Sequence, residues 1–270
     1  MLGQELAQVF KDEDKTLWDI EDIDITKEMA AREKIETLAP DVIINAAAYN
    51  AVDKAEEERV KADLINGYAP GYLAKIADDI KAILVHYSTD YVFEGEKKQG
   101  YSEGDGPNPI GVYGASKALG EKKVQENLSR HYIIRLSRLF GKIGAGAGVK
   151  KSFVDTMIDL AKTNKELRVI DEEISSPTYA PDLAERTKFV LDSMAPYGIY
   201  HAANSGSCTW YEFAKEIFRL KKVDINLIKA KSEDFPRPAR RPKFSVLLNT
   251  KLPEMRHWTD ALAEYLNVNK

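Results

Sequence analysis

An α/β protein on a doubly wound parallel sheet, with a smaller C-terminal region packed against it, is what this sequence predicts. Three observations lead there. Apolar runs rich in β-branched residues recur at 41–47, 82–87 and 132–136, continuous rather than alternating, as in strands covered on both faces. Charge-bearing segments of helical periodicity separate them, and strand–helix alternation at this spacing implies right-handed parallel crossovers. The third is size: 270 residues, 44% apolar and 30% charged, bury a sizeable core without disulfide or metal staples.

The elements follow in order. Leu2, Leu6, Val9 and Phe10 share one face of an opening helix. Residues 15–18 (KTLW) read as a short strand, and 26–38 as a helix with Met29 and Ala30 among its apolar positions. The run DVIINAA at 41–47 is a strand, 52–80 a long charge-rich helical stretch, AILVHY at 82–87 a strand, 112–127 a helix and YIIRL at 132–136 a strand. Past residue 139 the pattern loosens. Helices are expected at 151–163, 181–192 and 209–219, short strands near 167–170 and 198–202, and an ordered loop in the proline- and arginine-rich stretch 235–242. The chain divides at 1–140 and 141–270, with some later segments returning to the main sheet. Glycines cluster at 141–148, behind the 112–127 helix, so they read as a mobile loop and not as a dinucleotide fingerprint.

Composition narrows the function. Lys and Arg number 39 against 43 Asp and Glu, a net charge of −4, which argues against nucleic acid as a partner. No run approaches the roughly 18 apolar residues of a membrane span, and the first ten residues lack the order of a signal peptide. The single cysteine, Cys208, suits a reducing cytoplasm.

The sharpest chemistry lies in Tyr113-Gly-Ala-Ser-Lys117, preceded by Ser88-Thr89-Asp90 at a predicted strand end. Tyrosine and lysine four apart project from one helix face. An ammonium near a phenol favours the phenolate and lowers its pKa from about 10. Such a tyrosine can give a proton to a carbonyl oxygen as hydride reaches the carbon, and the Thr89 hydroxyl can hold that oxygen in line. A surface Tyr–Lys pair is the plainer reading of the spacing alone; the upstream Ser-Thr-Asp strengthens the catalytic one.

STDYVFEG at 88–95 and NPIGVYGASKALGE at 108–121 resemble the extended short-chain dehydrogenases/reductases, a Rossmann-like fold. INAAAYNAVDKAEEE at 44–58 is similar to their dTDP-4-dehydrorhamnose reductase branch, as are SSPTYAPDLA at 175–184, IYHAANSGSCTWYEFA at 199–214 and ARRPKFSVLLNT at 239–250. The resemblance implies reduction of the 4-keto group of dTDP-4-dehydro-L-rhamnose by NADPH or NADH. In it 1–140 binds the dinucleotide and 141–270 mainly the substrate. It makes Thr89 the residue that orients the keto oxygen, Tyr113 the acid, and Lys117 its modulator and a ligand of the nicotinamide ribose. Asp90, Arg138 and Arg241 join Thr89 and Tyr113 at the sugar nucleotide. Leu2, Asp24, Ile25, Ala46, Ala47, Ala48 and Tyr49 line the cofactor, with Asp19 at the adenosine ribose, where a carboxylate leans towards NADH. A homodimer and a magnesium ion are further implications, with Glu5 matching a candidate ligand.

The sequence also departs from the branch. Leu136-Ser137-Arg138 puts a cation where the branch has Ser-Trp; Arg138 either clamps a diphosphate or is a solvated arginine. Met1-Leu2-Gly3-Gln4-Glu5-Leu6 resembles the end of a G-x-x-G-x-x-G motif whose first strand and first two glycines have no counterpart here. The expectation is a polypeptide that begins about ten residues earlier, or a sheet that rearranges locally. Two other functions compete: a sugar-nucleotide epimerase or dehydratase, and a non-catalytic, cofactor-sensing subunit like the regulatory subunit of methionine adenosyltransferase, which resembles the same branch. A dehydratase needs a second carboxylate after the threonine, and Tyr91 follows Asp90 instead.

Overall fold

A computed structural model of the chain describes residues 1–144 and 151–267. Helix α1 (Leu2–Val9) is followed by an irregular segment, α2 (Glu28–Leu38) and strand β1 (Val42–Asn45). A 3₁₀ turn (Lys54–Glu56) leads to α3 (Arg59–Ala62), a π-helical stretch (Asp63–Tyr68) and α4 (Ala69–Asp79). Next come β2 (Ile83–Thr89), α5 (Val112–Asn127), β3 (His131–Leu136), β4 (Leu139–Phe140) and α6 (Phe153–Ala161). The chain continues through β5 (Glu166–Ile170), β6 (Ile174–Ser175), β7 (Thr178–Tyr179), α7 (Ala180–Asp192) and β8 (Gly198–His201). It ends with β9 (Cys208–Thr209), α8 (Trp210–Lys221), β10 (Asn226–Ala230) and α9 (Trp258–Tyr265).

The main sheet runs β1-β2-β3-β8, every pair parallel, with Ile44 opposite Val85, Val85 opposite Tyr132 and Ile133 opposite Ile199. Successive side chains of a strand point to opposite faces, and the apolar runs split accordingly. Leu84 and Ile133 pack with Ala31, Ile35, Leu73, Ile76 and Val124 from α2, α4 and α5. Val85, Tyr132 and Ile134 pack with Leu2, Leu6, Leu183 and Val190 from α1 and α7. Both faces are thus covered, which is why these strands read as continuous apolar runs. A separate core of Phe140, Phe213, Ile217, Trp258 and Leu262 joins α6, α8 and α9. Parallel pairing of β5 with β10 flanks it.

The predicted strand over 15–18 does not form. Residues 14–19 carry no regular structure, Leu17 and Ile20 are 63% and 62% exposed, and among the described residues no strand lies on the outer edge of β1. A strand needs a neighbour to take its N–H and C=O groups, and an apolar run without one has nothing to hold it extended. The helix expected over 52–80 is also broken. Pro70 has no N–H to give the Asn66 carbonyl, and the helix widens into the π stretch there. The helix over 112–127 forms with the predicted bounds. The segment 235–242 is irregular and anchored by side chains. The glycine cluster 141–148 falls largely outside the described residues. No helix among the described residues is long and apolar enough to cross a membrane.

Candidate active site

Strand β2 delivers Thr89 and Asp90 to the carboxyl edge of the sheet, where open α/β folds bind ligands. Helix α5 crosses below that edge. It approaches closely because Gly114 faces the carbonyl of Tyr91, which a Cβ would meet at 2.0 Å. The Tyr113 hydroxyl then faces the Thr89 hydroxyl and lies 3.5 Å from Asn50 Oδ1. Its ring sits edge-on to Tyr91, centroids 5.8 Å apart. Lys117, one turn on, is buried and donates to the Tyr87 carbonyl at 2.5 Å.

Burial pushes the Tyr113 phenol above its ordinary 10, against the Thr89 hydrogen bond. It pushes the Lys117 ammonium down to about 8, against the pull of the Glu121 carboxylate. The expected lowering of the tyrosine by the lysine is therefore corrected. Lys117 is turned to the strand carbonyl, and desolvation dominates the phenol. At neutral pH Tyr113 is a loaded proton donor.

Asp90 follows Thr89 directly at the strand end. It is 2% exposed and accepts from Ser137 Oγ at 3.0 Å, Ser245 Oγ at 2.5 Å and Thr89 Oγ1 at 3.1 Å. Its carboxyl ties the strand ends to the segment around Ser245, and burial raises its pKa despite these donors. Arg138 is half-buried and its guanidinium is engaged by the fold. Held at φ +43°, it donates to the carbonyls of Cys208 at 2.8 Å and Glu173 at 2.6 Å, and its guanidinium stacks 3.9 Å over the Trp210 ring. Arg241 makes a bidentate pair with Asp53, both contacts 2.7 Å. It thereby joins the loop after β1 to the 235–242 segment.

Of the expected cofactor residues, Ala46 and Ala47 are exposed and Ala48 and Tyr49 half-buried at the carboxyl end of β1. Small side chains there leave the backbone open to a ligand. Helix α1 starts at Leu2 with no side chain capping its N–H groups, although the Leu2 side chain itself is in the core. Asp19 is exposed in a turn, its carboxylate accepting from Ile20 N–H at 2.8 Å. Asp24 accepts from both the backbone and hydroxyl of Thr26, and Ile25 packs with Ile35 and Leu73. The exposed alanine turn and the uncapped helix start fit a dinucleotide. Among the described residues no cluster of three or more His, Cys, Asp or Glu could hold a metal, so nothing in this chain supports the magnesium expected at Glu5.

One functional residue escaped the sequence reading. Asn66, in the π stretch, accepts from Tyr49 N–H at 2.8 Å and donates to the Tyr49 carbonyl and to Ser116 Oγ, each at 3.0 Å. It clamps the 46–50 turn to the catalytic helix. Its signal in the sequence was an Asn-Gly pair inside a helical pattern.

Parallel sheet, strand-end Thr89 and the Tyr113–Lys117 helix together define an extended short-chain dehydrogenase/reductase. More narrowly, the chain belongs to the RmlD substrate binding domain family, whose model matches residues 1–270. It is 40% identical over 248 residues to the spore coat polysaccharide biosynthesis protein SpsK of Bacillus subtilis, covering 90% of this chain and 85% of that one. The crystal structure of a dTDP-4-dehydrorhamnose reductase from Clostridium acetobutylicum superposes with a TM-score of 0.93 at 40% identity, over 98% of this chain and 95% of the other. That of the Bacillus anthracis dTDP-4-dehydrorhamnose reductase in complex with NADP gives 0.90 at 35% identity, over 97% and 95%.

Proposed function

We propose that this protein is an NAD(P)H-dependent dTDP-4-dehydrorhamnose reductase, converting dTDP-4-dehydro-L-rhamnose to dTDP-L-rhamnose. The observation that carries the reading is the convergence of the Thr89 and Tyr113 hydroxyls, with the buried Lys117 one turn along the same helix, in a chain so similar to proteins of that name.

A bound reduced nicotinamide supplies hydride to C4 of the sugar. The residues do the rest. Thr89, its single proton turned from Asp90 to the keto oxygen, holds that oxygen against Tyr113. Tyr113, kept protonated by burial, gives its proton to that oxygen as negative charge develops on it. Lys117 lies on the same helix face and stabilises the phenolate left behind. The turn of Ala46, Ala47, Ala48 and Tyr49 and the first N–H groups of α1 at Leu2 would hold the dinucleotide, with Asp19, Asp24 and Ile25 on its adenosine side. Arg241, beside Asp53, and the buried Asp90 frame the sugar-nucleotide side; Arg138 supports that wall from behind. In this division residues 1–140 hold the cofactor and 141–270 mainly the substrate. The buried Cys208 thiol suits a reducing cytoplasm.

Tyr113→Phe keeps the ring and removes the proton. Turnover of the keto sugar nucleotide, followed by loss of reduced-nicotinamide absorbance, should fall by about 10²–10⁴. Unchanged turnover would remove Tyr113 as the acid.

A further inference from the structure

The α5 side of the main sheet, packed by Leu84 and Ile133, also holds a histidine. Leu84 and His86 lie two apart on β2 and share a face. His86 is fully buried, and its Nε2 lies 3.4 Å from where a Cβ on Gly120 of α5 would stand. Nε2 has no hydrogen-bond partner among the described residues. A buried polar group left unmet is destabilising, and an apolar ring would avoid it, so the imidazole asks for a role at its other nitrogen. That nitrogen meets Asn45, the register partner of His86 on β1. Nδ1 lies 3.2 Å from Asn45 Nδ2, and Asn45 Oδ1 accepts from Ala47 N–H at 3.1 Å. The roles in this chain are forced. Ala47 N–H can only donate, so the amide oxygen faces it and the amide NH₂ faces the imidazole. Nδ1 must then accept, which puts the proton of the neutral ring on Nε2. Burial, with Lys117 as the lesser cause, keeps the ring neutral by holding its pKa well below the usual value.

We propose that His86 is a positioning residue: through Nδ1 it aims the Asn45 amide, and the amide pins Ala47 so that the 46–49 turn stays set for its ligand. The inference rests on the reductase reading only for the identity of that ligand, a reduced nicotinamide dinucleotide. The other end of the turn is held by Asn66, which binds the N–H and the carbonyl of Tyr49 and places its own NH₂ on Ser116 Oγ. Two asparagines thus brace the turn. Each gives its oxygen to a turn N–H, and each is steered by a buried acceptor on the neighbouring element. An apolar side chain at position 86 would strand the Asn45 NH₂ in the core, a penalty relieved by rotating the amide away from Ala47.

Two substitutions test it. His86→Phe keeps an aromatic ring and removes Nδ1, whereas His86→Asn removes most of the ring and keeps an acceptor near the Nδ1 position. Amide hydrogen exchange at Ala47 should accelerate about two- to tenfold in His86→Phe, the equivalent of one hydrogen bond, and return towards wild type in His86→Asn. Kd for NADH and for NADPH, read by nicotinamide fluorescence, should rise by a similar factor and recover in the same order, with the loss in kcat/KM carried by KM for the cofactor. A packing role predicts the reverse order, since His86→Asn leaves the larger cavity. If His86→Phe does not fold, His86→Leu removes the same acceptor with less bulk. Unchanged Ala47 exchange in the variant without the acceptor, or a His86→Asn protein that fares no better than it, would overturn the inference. Faster Ala47 exchange that His86→Asn rescues, in a protein whose wild type binds neither NADH nor NADPH, would support the inference and overturn the reductase reading.

Discussion

Gly120 is a second point, after Gly114, where helix packing and the active site meet tightly. A Cβ added there would lie 2.1 Å from the Asn66 carbonyl oxygen and 3.2 Å from its carbon, with His86 Nε2 at 3.4 Å. The neighbour is backbone, so no flexible side chain can swing aside. For Gly120→Ala the Asn66 carbonyl must retreat by roughly 1 Å, in a core with little free volume. Overpacking of this kind costs about 1–3 kcal/mol. Asn66 also holds the Tyr49 N–H, the Tyr49 carbonyl and Ser116 Oγ. Loosening one or two of those bonds adds about 0.5–1.5 kcal/mol each. A total of about 1.5–6 kcal/mol, at roughly 3 kcal/mol per M of urea, corresponds to a drop in midpoint of roughly 0.5–2 M. Because the clamp fixes the 46–50 turn beside Tyr113, turnover should fall as well, in the folded fraction at 15 °C. Gly106→Ala is the control, since a Cβ there meets nothing within 4 Å. A Gly120→Ala protein with the midpoint of the control would refute the close approach as a structural requirement, and with it the coupling of that approach to catalysis.

Two further outcomes follow from charge placement. Asp53→Asn removes half of the bidentate pair that joins the loop after β1 to the 235–242 segment; Asp53 is 41% exposed on its side chain, so stability should change by no more than about 1 kcal/mol, whereas amide hydrogen exchange in 235–242 should accelerate. Unaltered exchange there would show that Arg237 and the Ser245 hydroxyl hold the segment without Arg241. His201 is kept neutral in the fold, its pKa depressed from 6.5 to about 4 chiefly by burial; the unfolded chain therefore binds the extra proton, and the stability present above pH 6.5 is lost as pH falls towards 4. His201→Gln should flatten the urea midpoint profile between pH 6.5 and 4.5, and an unflattened profile would assign the acid sensitivity to other groups.

What the sequence determined by itself is whatever repeats locally. Helix α5 formed with its predicted bounds because sixteen residues without proline or β-branched runs settle their own backbone, and its Tyr-x-x-x-Lys spacing fixes a shared face on any helix. Strands β2 and β3 were legible for a similar reason: burial on both faces writes a continuous apolar run. That Thr89 and Tyr113 would meet was legible from the same local spacing together with the strand end.

Tertiary structure decided the rest, because the deciding partners lie far along the chain. KTLW at 15–18 had a strand's composition, but a strand is made by its neighbour, and none lies beside it among the described residues. Arg138 was legible as a cation and illegible as a prop, since its acceptors are the carbonyls of residues 173 and 208. Asp90 was placed at the sugar by likeness; that Ser137 and Ser245, from two distant segments, also hold its carboxyl is something no local spacing shows. Lys117 was expected to act on Tyr113 through proximity; burial, a property no four-residue spacing contains, sets both of their pKa values instead. Glu121 stood in plain view eight residues from the tyrosine, but its partner Arg135 is brought to it by a strand of the sheet.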